Sequence, residues 1–130
     1  MRTNKLIILG LFIFLVGPQL LVGAQWSEPQ LLDTTDIDDY DVAVDVNNRI
    51  CMVQVRQSAI IQVRYFENNN WTEPETIYQE YDLYSPRICK RPKGGFHIVW
   101  KGKGTSLYHI DYSPEVGWSE VKETVMYGSI

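Results

Sequence analysis

The chain has 130 residues, with 12 Lys and Arg against 16 Asp and Glu, a formal net charge of −4 and 45% hydrophobic residues. That acidic balance excludes a general binder of nucleic acid or anionic lipid. Two cysteines are too few for a disulfide-built scaffold.

The chain opens MRTNK and continues LIILGLFIFLVGPQLLVGA, a basic start, an apolar run and a small-residue end at Val22, Gly23 and Ala24. This pattern predicts a secretory signal peptide over residues 1–24, cleaved before Gln25. Leu6 to Val22 approaches the roughly 18 apolar residues that a membrane span needs, so an uncleaved anchor is the competing reading; Gly17-Pro18 interrupts the run. Cleavage removes Arg2 and Lys5 and no acid, turning −4 into −6 and leaving 106 residues, enough for one small domain with its own core. The product is expected to be secreted or extracytoplasmic, with no stable membrane span. Cys51 and Cys89 then meet an oxidising compartment in which a bridge between adjacent inner strands is permitted; two independent core thiols are the alternative.

Beyond the leader, Trp26, Trp71 and Trp118 recur 45 and 47 residues apart in the related stretches WSEPQLL, WTEPETI and WSEVKET. A self-similar period in that range points to blades or solenoid units. An offset of 46 lays Tyr40 to Gln54 over Pro86 to Trp100 without a gap. An offset of 47 lays Ile60 to Glu67 over Leu107 to Pro114, with Ile61, Val63 and Tyr65 on Tyr108, Ile110 and Tyr112, and Gln62 and Arg64 on His109 and Asp111. Apolar falling on apolar at every second position is the parity of a half-buried strand. ICMVQV (Ile50 to Val55) and FHIVW (Phe96 to Trp100) are apolar on both faces and predict strands covered on both sides.

Each unit therefore reads as four strands, in the second copy Tyr84 to Cys89, Phe96 to Trp100, Ser106 to Tyr112 and Trp118 to Val125. Asn47-Asn48 and Lys93-Gly94-Gly95 supply the left-handed turn residues of the first hairpin, and Gly102 to Thr105 those of the second. The fold class is all-β: a partial β-propeller of two four-stranded antiparallel blades, about 41–77 and 84–125, plus an extra N-terminal outer strand over 26–32.

The stretches SPRIC, GGFHIVWKGKG, YHIDYSPEVGWSE and WTEPETI resemble the sialidase-type (BNR, or Asp-box) β-propeller repeats over essentially the whole chain after residue 24. SPEVGW and NNNW are degenerate versions of the Asp-box turn. The resemblance implies a secreted propeller and raises two activities, glycan or protein binding and sialidase-like glycoside hydrolysis. Sialidases use a tyrosine nucleophile, and their first substrate-binding arginine lies in a Phe/Tyr-Arg-Ile-Pro motif near the N-terminus. This chain has QWSEPQLL there, so no catalytic residue is carried over.

Propellers close with about four to eight blades, and two are legible here. The expectation is either an N-terminal fragment whose remaining C-terminal blades are missing, or a two-blade lectin whose copies assemble into one ring as a homo-oligomer.

Connections alternate between sheet ends, so the links 33–40 and 78–83 share one end with Gln57-Ser58 and Lys101 to Thr105. That end is the expected ligand site, for a glycan or a cell-surface protein, with Arg56, Tyr84, Arg87 and Lys101 as binding residues and Asp36, Asp38, Asp39, Tyr81 and Lys103 nearby. Arg91 and Lys93 fall at the opposite end and make no common basic patch with Lys101 and Lys103. DTTDIDDYD departs from a calcium loop at Tyr40. His97 reads as a packed strand residue and His109 as a polar-face one; neither has metal-ligand spacing. No metal and no cofactor are expected.

Overall fold

The computed structural model describes residues 28, 29, 31, 32 and 36–126. The signal peptide expected over 1–24 lies outside the described residues. So do residues 26, 27 and 30 of the outer strand expected over 26–32; its Glu28, Pro29, Leu31 and Leu32 are exposed and not in a strand.

The compact unit that starts at Leu32 is built from strands alone among the described residues. In chain order they are β1 (Ile37–Val44), β2 (Ile50–Arg56), β3 (Ile60–Glu67), β4 (Asn70–Trp71), β5 (Glu75–Gln79), β6 (Tyr84–Lys90), β7 (Phe96–Lys101), β8 (Ser106–Ser113), β9 (Gly117–Trp118) and β10 (Lys122–Val125). They form two antiparallel sheets of the same plan. β1, β2 and β3 are hydrogen-bonded in order, and the outer edge of β3 carries both β4 and β5; β6, β7 and β8 repeat the order with β9 and β10 on β8. Each sheet is a four-strand meander plus one extra short segment, because the outermost strand is broken in two. The arrangement of two sheets is unclosed.

The break corrects the single strand expected over Trp118 to Val125, and its cause lies in Trp-Ser/Thr. The Thr72 hydroxyl accepts the Tyr65 N–H at 3.0 Å, and the Thr72 N–H donates to the Tyr65 carbonyl at 2.8 Å. Ser119 treats Asp111 the same way, at 3.0 and 2.8 Å. A side chain thus replaces one rung of the ladder. The preceding tryptophan packs on the same strand: Trp71 lies edge-on to Phe66 with centroids 5.5 Å apart, and Trp118 lies 5.0 Å from Tyr112. The repeated words are a side-chain clasp on the third strand of each sheet.

Register shows how closely the copies agree. Val53 pairs with Val63 and Val99 with His109; Val55 pairs with Ile61 and Lys101 with Leu107. All are related by one offset of 46. The first turns match bond for bond: Asp45 N–H to the Arg49 carbonyl and Arg91 N–H to the Gly95 carbonyl, both 2.9 Å, with left-handed Asn48 (φ 61°) and Gly94 (φ 98°) in equivalent places. The offset of 47 expected for the third strand is therefore corrected to 46. The extra residue enters later, in the turn from Ser113 to Gly117, which is one longer than the turn from Glu67 to Asn70.

The correction changes what the apolar match means. Ile61, Val63 and Tyr65 leave the first sheet toward the second, whereas Tyr108 and Ile110 leave the second sheet toward the first, and all five fill one core. Cys51, Val53 and Val55 join it from β2, Phe96, Ile98 and Trp100 from β7, Ile88 from β6, and Leu83 from the link between the sheets. At about 1.5–3 kcal/mol for each large apolar side chain fully buried, this intersheet layer is the main stabilising element. Gln62 and Arg64, expected on a polar face, are buried, and Gln62 is tied to Gln54 at 3.1 Å and to Thr76 at 3.2 Å.

Candidate functional site

The site expected from the chain connections is the end of the sheets where β1 and β6 begin. There Ile37 pairs with Arg56 and Tyr84 with Lys101, and both inner strands carry a bulge, between Ile37 and Asp39 and between Tyr84 and Arg87. A bulge bends the strand and re-aims the side chains that follow it. Ser85 takes up the second one with a left-handed φ of 51°.

The loops at this end are fastened together. Asp38 Oδ2 accepts the Ser58 N–H at 2.6 Å, the Leu83 N–H donates to the Ser58 carbonyl at 2.9 Å, and the Glu80 N–H donates to the Ala59 carbonyl at 2.9 Å. The hairpin at residues 57–59 is thus held from both sides, by the start of β1 and by the link to β6. Glu80 also accepts the hydroxyls of Tyr78 at 2.5 Å and Tyr108 at 3.3 Å. Burial, followed by the Glu80 hydrogen bond, pushes the Tyr78 phenol well above its ordinary range.

Of the four residues expected to bind, Tyr84 and Lys101 come together as cross-strand partners, both exposed. The Tyr84 hydroxyl donates to Asp82 at 3.2 Å, and that carboxylate raises the phenol's pKa, first by its charge and then by the hydrogen bond. Arg87 is engaged elsewhere: its guanidinium meets Asp39 of the first sheet at 3.1 Å and its own neighbour's carbonyl, that of Pro86, at 2.6 Å. Strand alternation assigns Arg56 to the face of Met52 and Gln54, away from the second sheet. Tyr81 is 84% exposed in the link. Lys101 also borders a depression of about 250 Å³, shared with Gly104, Thr105, Ser106, Leu107 and Met126.

Cys51 and Cys89 are both free thiols, the first buried and the second exposed. Cys51 points into the intersheet core and Cys89 belongs to the opposite face of the second sheet, so that sheet separates them. Burial pushes the Cys51 thiol up to about 12. His97, expected to be packed, is part-exposed and has its Nδ1 2.5 Å from Asp111 Oδ1. Arg91 donates to the Tyr112 carbonyl at 3.2 Å, at the far end of the sheet from Lys101. Among the described residues no three His, Cys, Asp or Glu side chains converge as metal ligands.

Three residues that join the sheets were not singled out from the sequence. Asp41 Oδ2 accepts the Ile88 N–H at 3.0 Å, and Asp45 Oδ2 accepts the Gly95 N–H at 3.1 Å. Arg49 lies 4.1 Å from the Tyr65 ring centroid and donates to the Tyr112 hydroxyl at 2.7 Å. Repeat reasoning passes over them because the second copy has Arg87, Arg91 and Gly95 in their places.

No protein-family model, no curated protein and no solved structure matches this chain. Its functional reading rests on its own geometry. The end just described offers exposed aromatic rings, a lysine and fixed carboxylates, a set suited to holding a polar ligand by stacking and hydrogen bonds.

Proposed function

We propose that the chain is a secreted, non-catalytic β-propeller-repeat module of the sialidase-type kind, which binds a glycan at the end where the inner strands begin. The observation that carries this reading is the exposure of Tyr84 beside its partner Lys101, with Tyr81 exposed in the link that Ser58 holds. Exposed tyrosines give a sugar a flat apolar face and a hydroxyl at low entropic cost. Lys101 adds a charge-assisted donor for an acidic group on the sugar.

The experiment is a glycan array probed with the secreted protein, followed by Tyr81→Ala, Tyr84→Ala and Lys101→Ala. Loss of a specific signal in Tyr84→Ala, with the fold unchanged by circular dichroism, supports the assignment. No glycan signal together with capture of a cell-surface protein replaces the sugar by a protein ligand, and turnover of a fluorogenic sialoside replaces binding by hydrolysis.

A second reading concerns completion of the ring. Tyr40, Val42 and Val44 leave an apolar stripe of β1 exposed at 62%, 43% and 48%. Such a stripe suits a further sheet, supplied by more chain or by another copy. Native mass measurement separates the two, a discrete trimer or tetramer favouring assembly.

A further inference from the structure

The second sheet carries a row of side chains that the proposed binding end does not use. Cys89 on β6 is the cross-strand partner of His97 on β7, and His97 is the partner of Asp111 on β8. Directly opposed residues share a face, with Cβ atoms about 4.5–5.5 Å apart. This face is turned away from the first sheet, because the alternate residues Ile88, Ile98 and Ile110 fill the intersheet core. Asp111 holds His97 through Nδ1 at 2.5 Å. Burial works to raise the Asp111 pKa, but the His97 hydrogen bond and charge outweigh it and keep the carboxylate ionised. A carboxylate on Nδ1 fixes the tautomer with its hydrogen there and leaves Nε2 as the acceptor. Cys89 is an exposed free thiol.

We propose that Cys89 is a reactive thiol modified by thiol–disulfide exchange, with His97 as its base and Asp111 as the residue that positions His97. In this step the Cys89 sulfur bonds to one sulfur of a small disulfide. The reagent's S–S bond breaks, and its second sulfur leaves with the electron pair. The thiol proton passes to His97 Nε2 and then to the departing thiolate, so one disulfide is exchanged for another with no net oxidation. The nucleophile, base and orienting group then stand in order across three strands. The other charged groups on this side of the sheet are Arg87 on β6, paired with Asp39, Arg91 just after β6, His109 on β8 and Lys122, which pairs with His109 from β10.

The test is reaction of the full chain with glutathione disulfide between pH 5.5 and 9, with the mixed disulfide located and timed by peptide mass mapping. The expected result is modification of Cys89 and not of Cys51, at a rate on the order of tenfold above that of an unstructured peptide spanning Cys89 at pH 7. His97→Gln and Asp111→Asn should each bring the rate toward the peptide's. A native rate equal to the peptide's overturns the proposal whether or not the variants fold, and so does an unchanged rate in folded His97→Gln.

Discussion

Asp45 Oδ2 accepts the backbone N–H of Gly95 at 3.1 Å, joining the first turn of one sheet to the first turn of the next across fifty residues of sequence. The same carboxylate accepts the N–H groups of Asn47 at 2.8 Å and Arg49 at 2.9 Å through Oδ1. One buried side chain therefore shapes its own turn and fixes the neighbouring sheet.

Asp45→Asn keeps the shape and loses the charge. An amide has one acceptor oxygen where the carboxylate has two, so it cannot serve both turns. With charge-assisted bonds to a buried group at stake, the variant should lose about 1–3 kcal/mol in urea unfolding. A loss below about 0.5 kcal/mol would show that the clasp is not stabilising.

Acid should unfold the protein partly through the same group. Burial works to raise the pKa of Asp45 and of Asp111; the backbone N–H donors in the first case and His97 in the second outweigh it and hold both below the ordinary carboxylate value. A carboxyl with a depressed folded pKa contributes stability that is full above its unfolded value of about 3.9 and is lost as pH falls through the folded value. Thermal midpoints should thus drop below about pH 4, and the drop should be shallower in Asp45→Asn.

Gly95→Ala should cost about 2–4 kcal/mol. Its φ is 81°, and a Cβ there would run into the carbonyl oxygen of Tyr112. Gly104 is the control: with φ 67° and open space around a Cβ, its alanine variant should lose only the roughly 1–2 kcal/mol of a left-handed backbone. Equal losses at the two sites would contradict the close approach of β8 to the first turn of the second sheet.

Iodoacetamide should label Cys89 in the native protein and Cys51 only after unfolding. Cys51 is fully buried, and its thiol is pushed up to about 12. Native labelling of Cys51 would mean that the intersheet core opens.

Most of the strand layout was legible in the sequence, because the physics behind it is local. ICMVQV reads as a strand covered on both sides, and Cys51 to Val55 of β2 are all buried; FHIVW reads the same way, but in β7 only the face of Phe96, Ile98 and Trp100 is buried, and His97 and Val99 are part-exposed. Asn48 and Gly94 announce their turns through the residue types that tolerate positive φ. Alternation alone did not reveal which face an apolar residue takes when both faces of a sheet are partly covered, and this is why β3 and β8 looked aligned at 47. The start of β1 at Ile37, ahead of the expected Asp41, depends on a bulge that has no sequence signature of its own. Asp41, Asp45 and Arg49 act between copies, and a comparison that seeks likeness between repeats overlooks positions where they differ. In the expected site, the pairing of Tyr84 with Lys101 follows from strand order, whereas the capture of Arg87 by Asp39 depends on how the two sheets pack.

The central claim is that the chain repeats one four-strand sheet twice, at an offset of 46 through the first three strands, and packs the copies face to face. Interstrand nuclear Overhauser contacts on the isotope-labelled protein test it most directly. The account predicts contacts between Val53 and Val63, between Val99 and His109 at the same offset of 46, and between Asp41 and the Ile88 amide across the two sheets. Contacts at an offset of 47 through the third strands, or sequential amide contacts of helix across Ile50 to Tyr65, would contradict it.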